Sequence, residues 1–509
     1  MPSARRFQGL GAIRLATFAL PPLGIILLWK SQELPLRRKI LGTIFGVLFL
    51  VPYFALIVLV LMKTTGLEVE WRGGFPPVLT WHKTHPNYEA VEQSRRTQAT
   101  PRQPPPKPAT PPSWTGFRGP QRDGIYDEQP INTNWPAAGL PLLWKEPIGG
   151  GYASFAIAEG MAFTIEQRKE KEVVAAYNVE NGQEIWTYGY DAFFTESMGG
   201  DGPRATPTYD DGRVYSLGAL GDLCCLDSQT GRLVWRLNIL ADNHADNLHW
   251  AVSSSPLVVG EKLIVQAGGP DGHSVVAYDK MTGKAIWRAL DDGAAYSSPM
   301  LVTLAGQPQL VVVHEKRATG LTVDQGELLW SFPWTVNLGN RNIAQPIVLS
   351  TNSLFLSAGY ATGCAAFEVA RASQGFEVKL LWQNKNLKNK FTSSVYCDGH
   401  IYGLDEDILV CLNANTGERD WKDGRYGYGQ ILLAGGHLII LGGQGELALV
   451  QATPTEFHES ARFQAIQGKT WNHPAIAEGR LFVRNAVEMA CFDLRPANSG
   501  QRSEIKGQK

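Results

Sequence analysis

A short unit that ends in tryptophan recurs along the chain, and this repetition constrains the fold more than any other feature. Its fullest form, residues 221–235, has two apolar stretches joined by a turn that ends in Gly231. Glycine accepts a positive φ in such a turn, and the flanking stretches have the composition of strands. The spacing Gly-x-x-x-Trp occurs five times and ends at Trp186, Trp235, Trp287, Trp330 and Trp421. Five occurrences in one chain indicate a repeat array.

A second pattern precedes each turn unit: a short strand, a glycine and another apolar strand. The two patterns give four strands per repeat, and a period of roughly 37–52 residues is typical of a β-propeller blade. The sequence therefore predicts an all-β fold, an eight-bladed propeller of four-stranded antiparallel blades over residues 113–495. The eight aligned first strands begin near Ser154, Thr206, Ser255, Ser298, Gln345, Ser393, Gln430 and His473.

The two ends of the repeat region are complementary. The eighth repeat stops without its tryptophan strand, and an unassigned strand that contains Trp144 precedes the first repeat. We expect the N-terminal strand to complete the last blade, which closes the ring and removes its open edges. Seven tryptophans then dock one blade on the next, and we expect Phe463 to replace the tryptophan of the seventh blade. These tryptophans are Trp144, Trp186, Trp235, Trp287, Trp330, Trp382 and Trp421.

Residues 1–63 have the composition of a membrane anchor. Residues 40–62 carry no charge and are long enough to cross a bilayer, and residues 15–29 form a shorter apolar segment. We interpret the two segments as a transmembrane helical hairpin; a cleaved signal sequence or a re-entrant piece is the alternative for the first. Four cations and one acid in residues 30–39 favour a cytoplasmic loop. We therefore expect an inner-membrane protein with its propeller on the periplasmic side.

The segments outside the propeller and the hairpin have no apolar repeat. Residues 64–91 form a juxtamembrane segment, and residues 92–112 are rich in Pro, Gln, Thr and Arg, which is typical of a flexible linker. We expect residues 496–509 to be a disordered tail. The formal net charge of -1 gives no electrostatic reason to expect nucleic acid, and the six cysteines lack metal-ligand spacing.

The Gly-x-x-x-Trp units resemble the PQQ-type (pyrroloquinoline-quinone) β-propeller repeats of quinoprotein alcohol dehydrogenases and of the BamB lipoprotein of outer-membrane assembly. The resemblance covers about residues 114–494. The opening sequence, residues 117–124 (FRGPQRDG), together with the hairpin, looks like a planctomycete-type group of such proteins. The resemblance implies a propeller fold and two functions of different class. One is a non-catalytic scaffold that binds protein partners in the cell envelope; the other is PQQ-dependent oxidation of an alcohol or a sugar.

The resemblance directs attention to Cys224 and Cys225, because the dehydrogenases hold PQQ between a tryptophan and a disulfide of adjacent cysteines, beside calcium bound by Glu, Asn and Asp. The repeat alignment places Cys225 in a slot for small side chains, with Cys224 on the opposite face of the strand. The same slot is predicted to hold Ala176, Ala277, Thr322, Cys411 and Cys491. We therefore expect no catalytic residue, no metal and no cofactor, with PQQ and calcium as the alternative.

One polar pattern remains. The first-strand residues from Ser154 to His473 are all polar and uncharged, so they predict a hydrophilic ring around the central channel. The structural interpretation is that they satisfy nearby backbone groups. The alternative is a ligand site whose rim includes Arg204, Trp250, Trp471 and Asn472, where an arginine and two aromatic rings hold an anion or a sugar-like face.

Overall fold

We analysed a computed structural model that describes residues 21–32, 34–65, 67–70, 78–80, 86–98, 104–105, 114–337, 339 and 341–496. The chain divides into two compact units. The first comprises Met1–Trp71 and Phe75–Lys83, and the second comprises Arg72–Gly74 and Thr84–Lys509.

The first unit contains the apolar helices. Helix α1 spans Pro21–Lys30 and helix α2 spans Leu36–Thr65, and the Trp29 indole donates a hydrogen bond of 2.9 Å to Thr43 Oγ1. Within the described residues, Leu36–Met62 is the one helix whose length and composition suffice to cross a membrane. A short antiparallel ribbon joins Glu68–Glu70 to Val78–Thr80. Residues 15–20 of the predicted first segment lie outside the described residues.

The second unit contains eight four-stranded blades, as predicted. The strands of blades 1 to 4 follow the order of the chain, which lets each antiparallel pair close through a short turn. In blade order, the strands are Ala156–Ala158, Met161–Arg168, Lys171–Asn178 and Glu184–Asp191; Thr208–Asp210, Arg213–Leu217, Asp222–Asp227 and Leu233–Asn238; Leu257–Val259, Lys262–Gln266, Val275–Asp279 and Ala285–Ala289; and Met300–Leu304, Gln307–Val313, Arg317–Leu321 and Leu328–Pro333.

Blades 5 to 8 continue the ring, and blade 8 takes its outer strand from the N-terminal side, which confirms the predicted closure. Blade 7 gains a fifth, parallel strand, Ile125–Tyr126. The strands are Ile347–Val348, Ser353–Ala358, Gly363–Arg371 and Phe376–Asn384; Val395–Cys397, His400–Asp405, Ile408–Asn413 and Arg419–Arg425; Gln430–Ala434, His437–Leu441, Glu446–Gln451 and Glu459–Gln464; and Ala475–Ala477, Arg480–Arg484, Glu488–Asp493 and Leu142–Pro147.

The Gly-x-x-x-Trp units form contacts between neighbouring blades. Five tryptophan rings pack against the turn glycine of the next blade, whose φ lies between 68° and 72° and where a Cβ would come within 2.8 Å of the ring. These pairs are Trp144–Gly182, Trp186–Gly231, Trp235–Gly283, Trp287–Gly326 and Trp382–Gly417. Glycine is therefore required twice, for the turn and for the approach of the ring.

The indole nitrogens add a bond across each of these contacts. Six tryptophans donate to a backbone carbonyl of the following blade at 2.7–3.2 Å. The acceptors are Val179 for Trp144, Ser228 for Trp186, Lys280 for Trp235, Val323 for Trp287, Ala414 for Trp382 and Thr453 for Trp421. Trp330 differs, since its indole donates to Gln309 Oε1 within its own blade.

Two positions of the repeat alignment need correction. Trp330 pairs with Gly320, so Gly320 and not Thr322 occupies the small-residue slot of blade 4. In the other blades, a β-bulge follows the residue that faces the tryptophan; in blade 7 that residue is Leu449, and it faces Ala461. Phe463 therefore lies two residues beyond the tryptophan position, where its ring packs against Gly139.

A helix precedes the propeller within the second unit. It spans Tyr88–Thr97, so the first six residues of the predicted flexible linker are helical. Asn87 caps it by accepting the N–H of Ala90. Arg95 is buried and donates to Pro147 O at 2.6 Å, and it lies within 3.4 Å of carboxylates of Glu146 and Glu184. The helix thus bridges the closing strand of blade 8 and the outer strand of blade 1. Residues 99–103 and 106–112 of the linker lie outside the described residues.

Candidate functional site

The polar ring joins neighbouring blades. In five blades, the backbone N–H of the ring residue donates to the side chain of the ring residue in the next blade, at 2.6–3.0 Å. These bonds run from Ser154 to Thr206, Thr206 to Ser255, Ser255 to Ser298, Ser298 to Gln345 and Gln345 to Ser393. Ser154 Oγ donates to His473 O at 2.6 Å, and Gln430 Nε2 donates to carbonyls of Phe391 and Trp471. All ring residues except half-buried His473 are buried, so the ring seals the blades rather than facing open water.

A segment that the repeat pattern did not assign to any blade lies against the inner strands. We call residues 114–126 the strap. Trp114 and Thr115 accept backbone bonds of 2.7 Å from Ile157 of blade 1 and Tyr209 of blade 2, and Gly124 accepts one of 2.9 Å from Leu433 of blade 7. The strap therefore reaches across the central channel.

Two buried arginines fix the strap. Arg118, which is 1% exposed, donates to Ile431 O at 3.2 Å and to Ser394 O at 2.8 Å. Arg122 donates to Ser255 O at 2.9 Å, to Pro299 O at 3.0 Å and to Pro256 O. Burial lowers the pKa of Arg118 to about 10 and of Arg122 to about 9. Two guanidinium groups thus satisfy backbone carbonyls at the first strands of blades 3, 4, 6 and 7.

We call Arg118 and Arg122, with the part of the strap that carries them, the plug. Beside the plug, the loops leading into the first strands surround a cavity of about 380 Å³ that we call the cup. Its lining is mainly aromatic, with charged groups between the rings. It comprises Phe117, Tyr152, Glu196, Met198, Gly199, Arg204, Trp250, Ser253, Tyr296, Arg341, Ile343, Tyr360, Lys390, Phe391, Trp471 and His473. Most wall residues precede the ring by two residues or more, whereas the plug arginines bond at the ring and beyond it. The cup and the plug therefore occupy successive levels of the channel.

The cations of the cup lie on ring faces. The guanidinium carbon of Arg204 lies 4.5 Å from the ring centre of Phe194, and that of Arg341 lies 4.8 Å from Trp250. Lys390 Nζ lies 4.9 Å from the ring of Tyr428 and 3.6 Å from Glu406. Cation–π contacts hold these charges in place, and each is worth about 0.5–2 kcal/mol.

The neutral groups of the cup keep their protons. Burial raises the pKa of Tyr296, and it raises the pKa of Tyr360 to about 12, so both hydroxyls stay neutral at physiological pH. His473 lies under the cup, with its ring 4.8 Å from that of Phe117. Burial, and secondarily the charge of Arg118, holds the pKa of His473 well below its usual range. The cup therefore presents three cations, one carboxylate and neutral rings among the described residues.

The structure brings together part of the predicted ligand set. Arg204, Trp250, Trp471 and His473 line one cavity, whereas Asn472 is buried behind it and donates to carbonyls of Gly151 and Ala153. The ring residues from Ser154 to Gln430 do not line the cup. Sequence reasoning missed Arg341, Lys390 and the strap. The position two residues before each aligned ring residue could have marked the wall of the cup, although it does not find Arg341, Lys390 or the strap. Seven of these eight residues line the cup: Tyr152, Arg204, Ser253, Tyr296, Ile343, Phe391 and Trp471.

Comparison with known proteins places this architecture in a family. Residues 170–423 match the profile of the family described as "Outer membrane protein assembly factor BamB". The propeller belongs to the PQQ-type repeat family. This PQQ-type propeller superposes on BamB from Moraxella catarrhalis with a TM-score of 0.52 at 16% identity, over 71% of this chain and 99% of that one. It superposes on a quinohemoprotein alcohol dehydrogenase from Pseudomonas putida with a TM-score of 0.55 at 12% identity, over 81% and 84%. Likeness at these identities shows the fold alone.

Sequence relatives come from the dehydrogenase branch. A quinoprotein ethanol dehydrogenase of Pseudomonas aeruginosa is 25% identical over 189 residues, which cover 34% of this chain and 29% of the relative. A 1-butanol dehydrogenase (quinone) of Thauera butanivorans is 22% identical over 226 residues, which cover 42% and 33%. The matched part of the PQQ-type propeller spans about a third of the length of these curated relatives.

The cysteine pair does not fit the PQQ setting that the resemblance implies. Cys224 packs among blade 1 residues such as Trp186, whereas Cys225 faces the core between blades 2 and 3. Both thiols are buried and free, and burial raises the pKa of each to about 12. Neither lines the cup. Among the described residues, no group of three His, Cys, Asp or Glu side chains is placed to hold a metal ion.

Proposed function

We propose that the protein is a membrane-tethered, non-catalytic propeller that acts as a protein-interaction or envelope-assembly scaffold. Its helical hairpin anchors it in the inner membrane, and its propeller lies on the periplasmic side. The match to the BamB-like profile supports this role.

One observation carries the proposal. The opposite orientation of Cys224 and Cys225 removes the feature most suggestive of redox chemistry, because adjacent residues of a regular strand point to opposite faces. Two carboxylates in loops between strands are also engaged: Asp292 pairs with Arg317 at 2.7 Å, and Asp407 pairs with Arg425 at 2.6 Å. The surface left for function is that of the cup and the loops around it.

A PQQ-dependent oxidoreductase that acts on an alcohol or a sugar is the second candidate. The names of the two curated relatives favour it, as does a cationic aromatic cavity in the channel. Reconstitution of the purified full-length protein with PQQ and Ca²⁺, followed by a dye-reduction assay with short alcohols and sugars, separates the candidates. We expect no reduction above that of protein without PQQ. Substrate-dependent turnover would overturn the scaffold proposal.

A partner search tests the scaffold directly. Crosslinking of intact cells followed by purification is expected to recover a defined envelope protein with the full-length chain. Recovery of the same background proteins with and without the tagged chain would count against a scaffold.

Cys397 offers a test of the orientation. It is half-buried, whereas the other five cysteines are buried. We expect a membrane-impermeant maleimide to label the protein in spheroplasts before lysis, and Cys397→Ser to abolish that labelling. Labelling only after lysis would place the propeller in the cytoplasm.

A further inference from the structure

The cup is closed at its inner end. Its base is formed by Phe117 and His473, and the plug arginines Arg118 and Arg122 fill the next level. A partner can insert side chains into such a cavity but cannot thread through it. This geometry fits a protruding chain segment rather than a channel substrate.

The lining has the composition of a protein-binding hot spot. Trp, Tyr and Arg dominate such sites, and the cup combines Trp250 and Trp471 with Tyr296, Arg204 and Arg341. Between the rings lie the hydroxyls of Ser253, Tyr296 and Tyr360, which can bond a polar group of a ligand. A ligand that combines an apolar body with a negative charge matches both parts of the lining.

The charges that line the cup indicate the sign of the charge that a partner should carry. Arg204, Arg341 and Lys390 face the cup, and Glu196 is the one lining carboxylate among the described residues. Glu196 lies 4.0 Å from Arg204, and Glu406, behind the wall, lies 3.6 Å from Lys390. The lining therefore keeps a positive excess, although the whole chain carries a net charge of -1.

The rim favours a polypeptide over a small solute. The loop that brings Met198 to the cup also exposes Phe193, and both side chains are more than a third exposed. Exposed apolar side chains beside a cavity are typical of surfaces that a protein partner covers, and methionine adapts to varied partners. The rim thus extends the apolar contact beyond the cavity itself.

We propose that the cup docks an acidic peptide segment of a partner protein, with an aromatic side chain next to a carboxylate. The carboxylate lies among Arg204, Arg341 and Lys390, and the aromatic side chain packs among the rings of the cup. This inference rests on the proposed scaffold function and names the chemistry of its partner.

Peptide binding tests the inference. The full-length protein in detergent is titrated into fluorescein-labelled hexapeptides of sequence Asp-Phe-Glu-Phe-Asp-Gly and Asn-Phe-Gln-Phe-Asn-Gly, with anisotropy as the readout. We expect the acidic peptide to bind at least about tenfold more tightly, and its binding to weaken as salt rises. Equal binding of the two peptides, or no binding of either, would overturn the inference. Equally tight binding of a single-stranded oligonucleotide would overturn it as well.

Matched variants locate the site. Arg341→Gln combined with Lys390→Gln is expected to weaken the acidic peptide at least about tenfold, whereas Lys379→Gln, at an exposed outer strand of blade 5, leaves it unchanged. Thermal melting of each variant checks the fold. An unchanged affinity in the folded double variant overturns the inference. The scaffold proposal survives that result if crosslinking still recovers a partner. It fails independently if addition of PQQ and Ca²⁺ gives substrate-dependent turnover.

Discussion

The two levels of the central channel use arginine in opposite ways. Arg118 and Arg122 are buried and donate to backbone carbonyls of the inner strands. Arg341 lies on the faces of Trp250 and Tyr360 at the edge of a cavity, and Arg204 combines both arrangements, since it lies on the ring of Phe194 and donates to the carbonyls of Gly200 and Gly202. A guanidinium bonded to carbonyls replaces missing backbone partners and so acts on stability, whereas one held against a ring at the edge of a cavity also places its charge where a ligand can enter. Arginine therefore fills the channel at the level of the plug and supplies positive charge to the lining of the cup.

The largest effect is expected at the plug. Arg122→Ala leaves the carbonyls of Ser255, Pro256 and Pro299 without this donor, which we expect to lower the free energy of unfolding by on the order of 3 kcal/mol. Denaturant unfolding of the purified protein measures it, with exposed Lys379→Ala as the control. Equal midpoints for the two variants would show that the plug does not hold the ring.

The helix Tyr88–Thr97, which bridges blades 8 and 1, has a buried and an exposed arginine at adjacent positions. Arg95→Ala removes a buried cation that bridges Glu146 and Glu184, and we expect a loss of about 2 kcal/mol. The side chain of Arg96 is 81% exposed and pairs with Glu92, so Arg96→Ala is expected to cost less than about 0.5 kcal/mol. Thermal melting of both variants measures the difference. If both melt alike, the helix does not support the seam.

We expect the free energy of unfolding to depend on pH through His473, which lies between the cup and the plug. His473 has a depressed pKa in the folded protein, so below the ordinary histidine pKa the unfolded chain binds the additional proton first. Stability is therefore lost as pH falls below about 6.5. We expect His473→Gln to retain about 1–2 kcal/mol more of its stability than the original protein between pH 7 and pH 5.

Burial also lowers the pKa of His314, to about 4. His314 contributes equally to the pH dependence of both proteins, so the difference between their two pH profiles reports on His473 alone. Parallel profiles would mean that His473 takes up its proton without cost in the folded state.

Within the channel, a smaller effect on stability is expected in the cup than in the plug. Arg341→Ala removes contacts with the faces of Trp250 and Tyr360, and at about 0.5 kcal/mol for each partly exposed contact we expect a loss of about 1 kcal/mol. Melting temperatures of this variant and of Arg122→Ala give the comparison directly. A loss as large as that of the plug variant would erase the distinction between the two levels.

Repetition made the blades predictable, and departures from it account for the errors. The repeat alignment predicts Thr322 in the small-residue slot, but Thr322 begins the turn as Asp227 does in blade 2, because both carbonyls accept the N–H of the turn glycine. In blade 7, the bulge sets Ala461 opposite Leu449, and spacing alone did not show it. Side-chain periodicity predicts strands well but does not fix the register after a hairpin of unusual length.

The site was less predictable than the fold because it forms only when the ring closes. Arg204, Trp250 and Trp471 come from loops of different blades, and their convergence depends on the radial arrangement. Arg118 and Arg122 lie in a glycine-rich stretch that is typical of an exposed loop, and only the surrounding blades bury them. Partial prediction came from aligning the repeats, since residues at equivalent positions lie at the same depth of the channel.

The strap has a consequence for biosynthesis. It is translated before every blade, yet Asn132, just beyond it, donates to Leu494 O at 2.6 Å and Tyr126 accepts from Gly479 N at 2.9 Å. These two partners in blade 8 emerge from the ribosome last, long after the partners of the strap in blades 1 and 2. Chains released early would present an open ring with bare strand edges, which favour aggregation. Folding of the complete chain is expected to end in one late, cooperative closure rather than blade by blade.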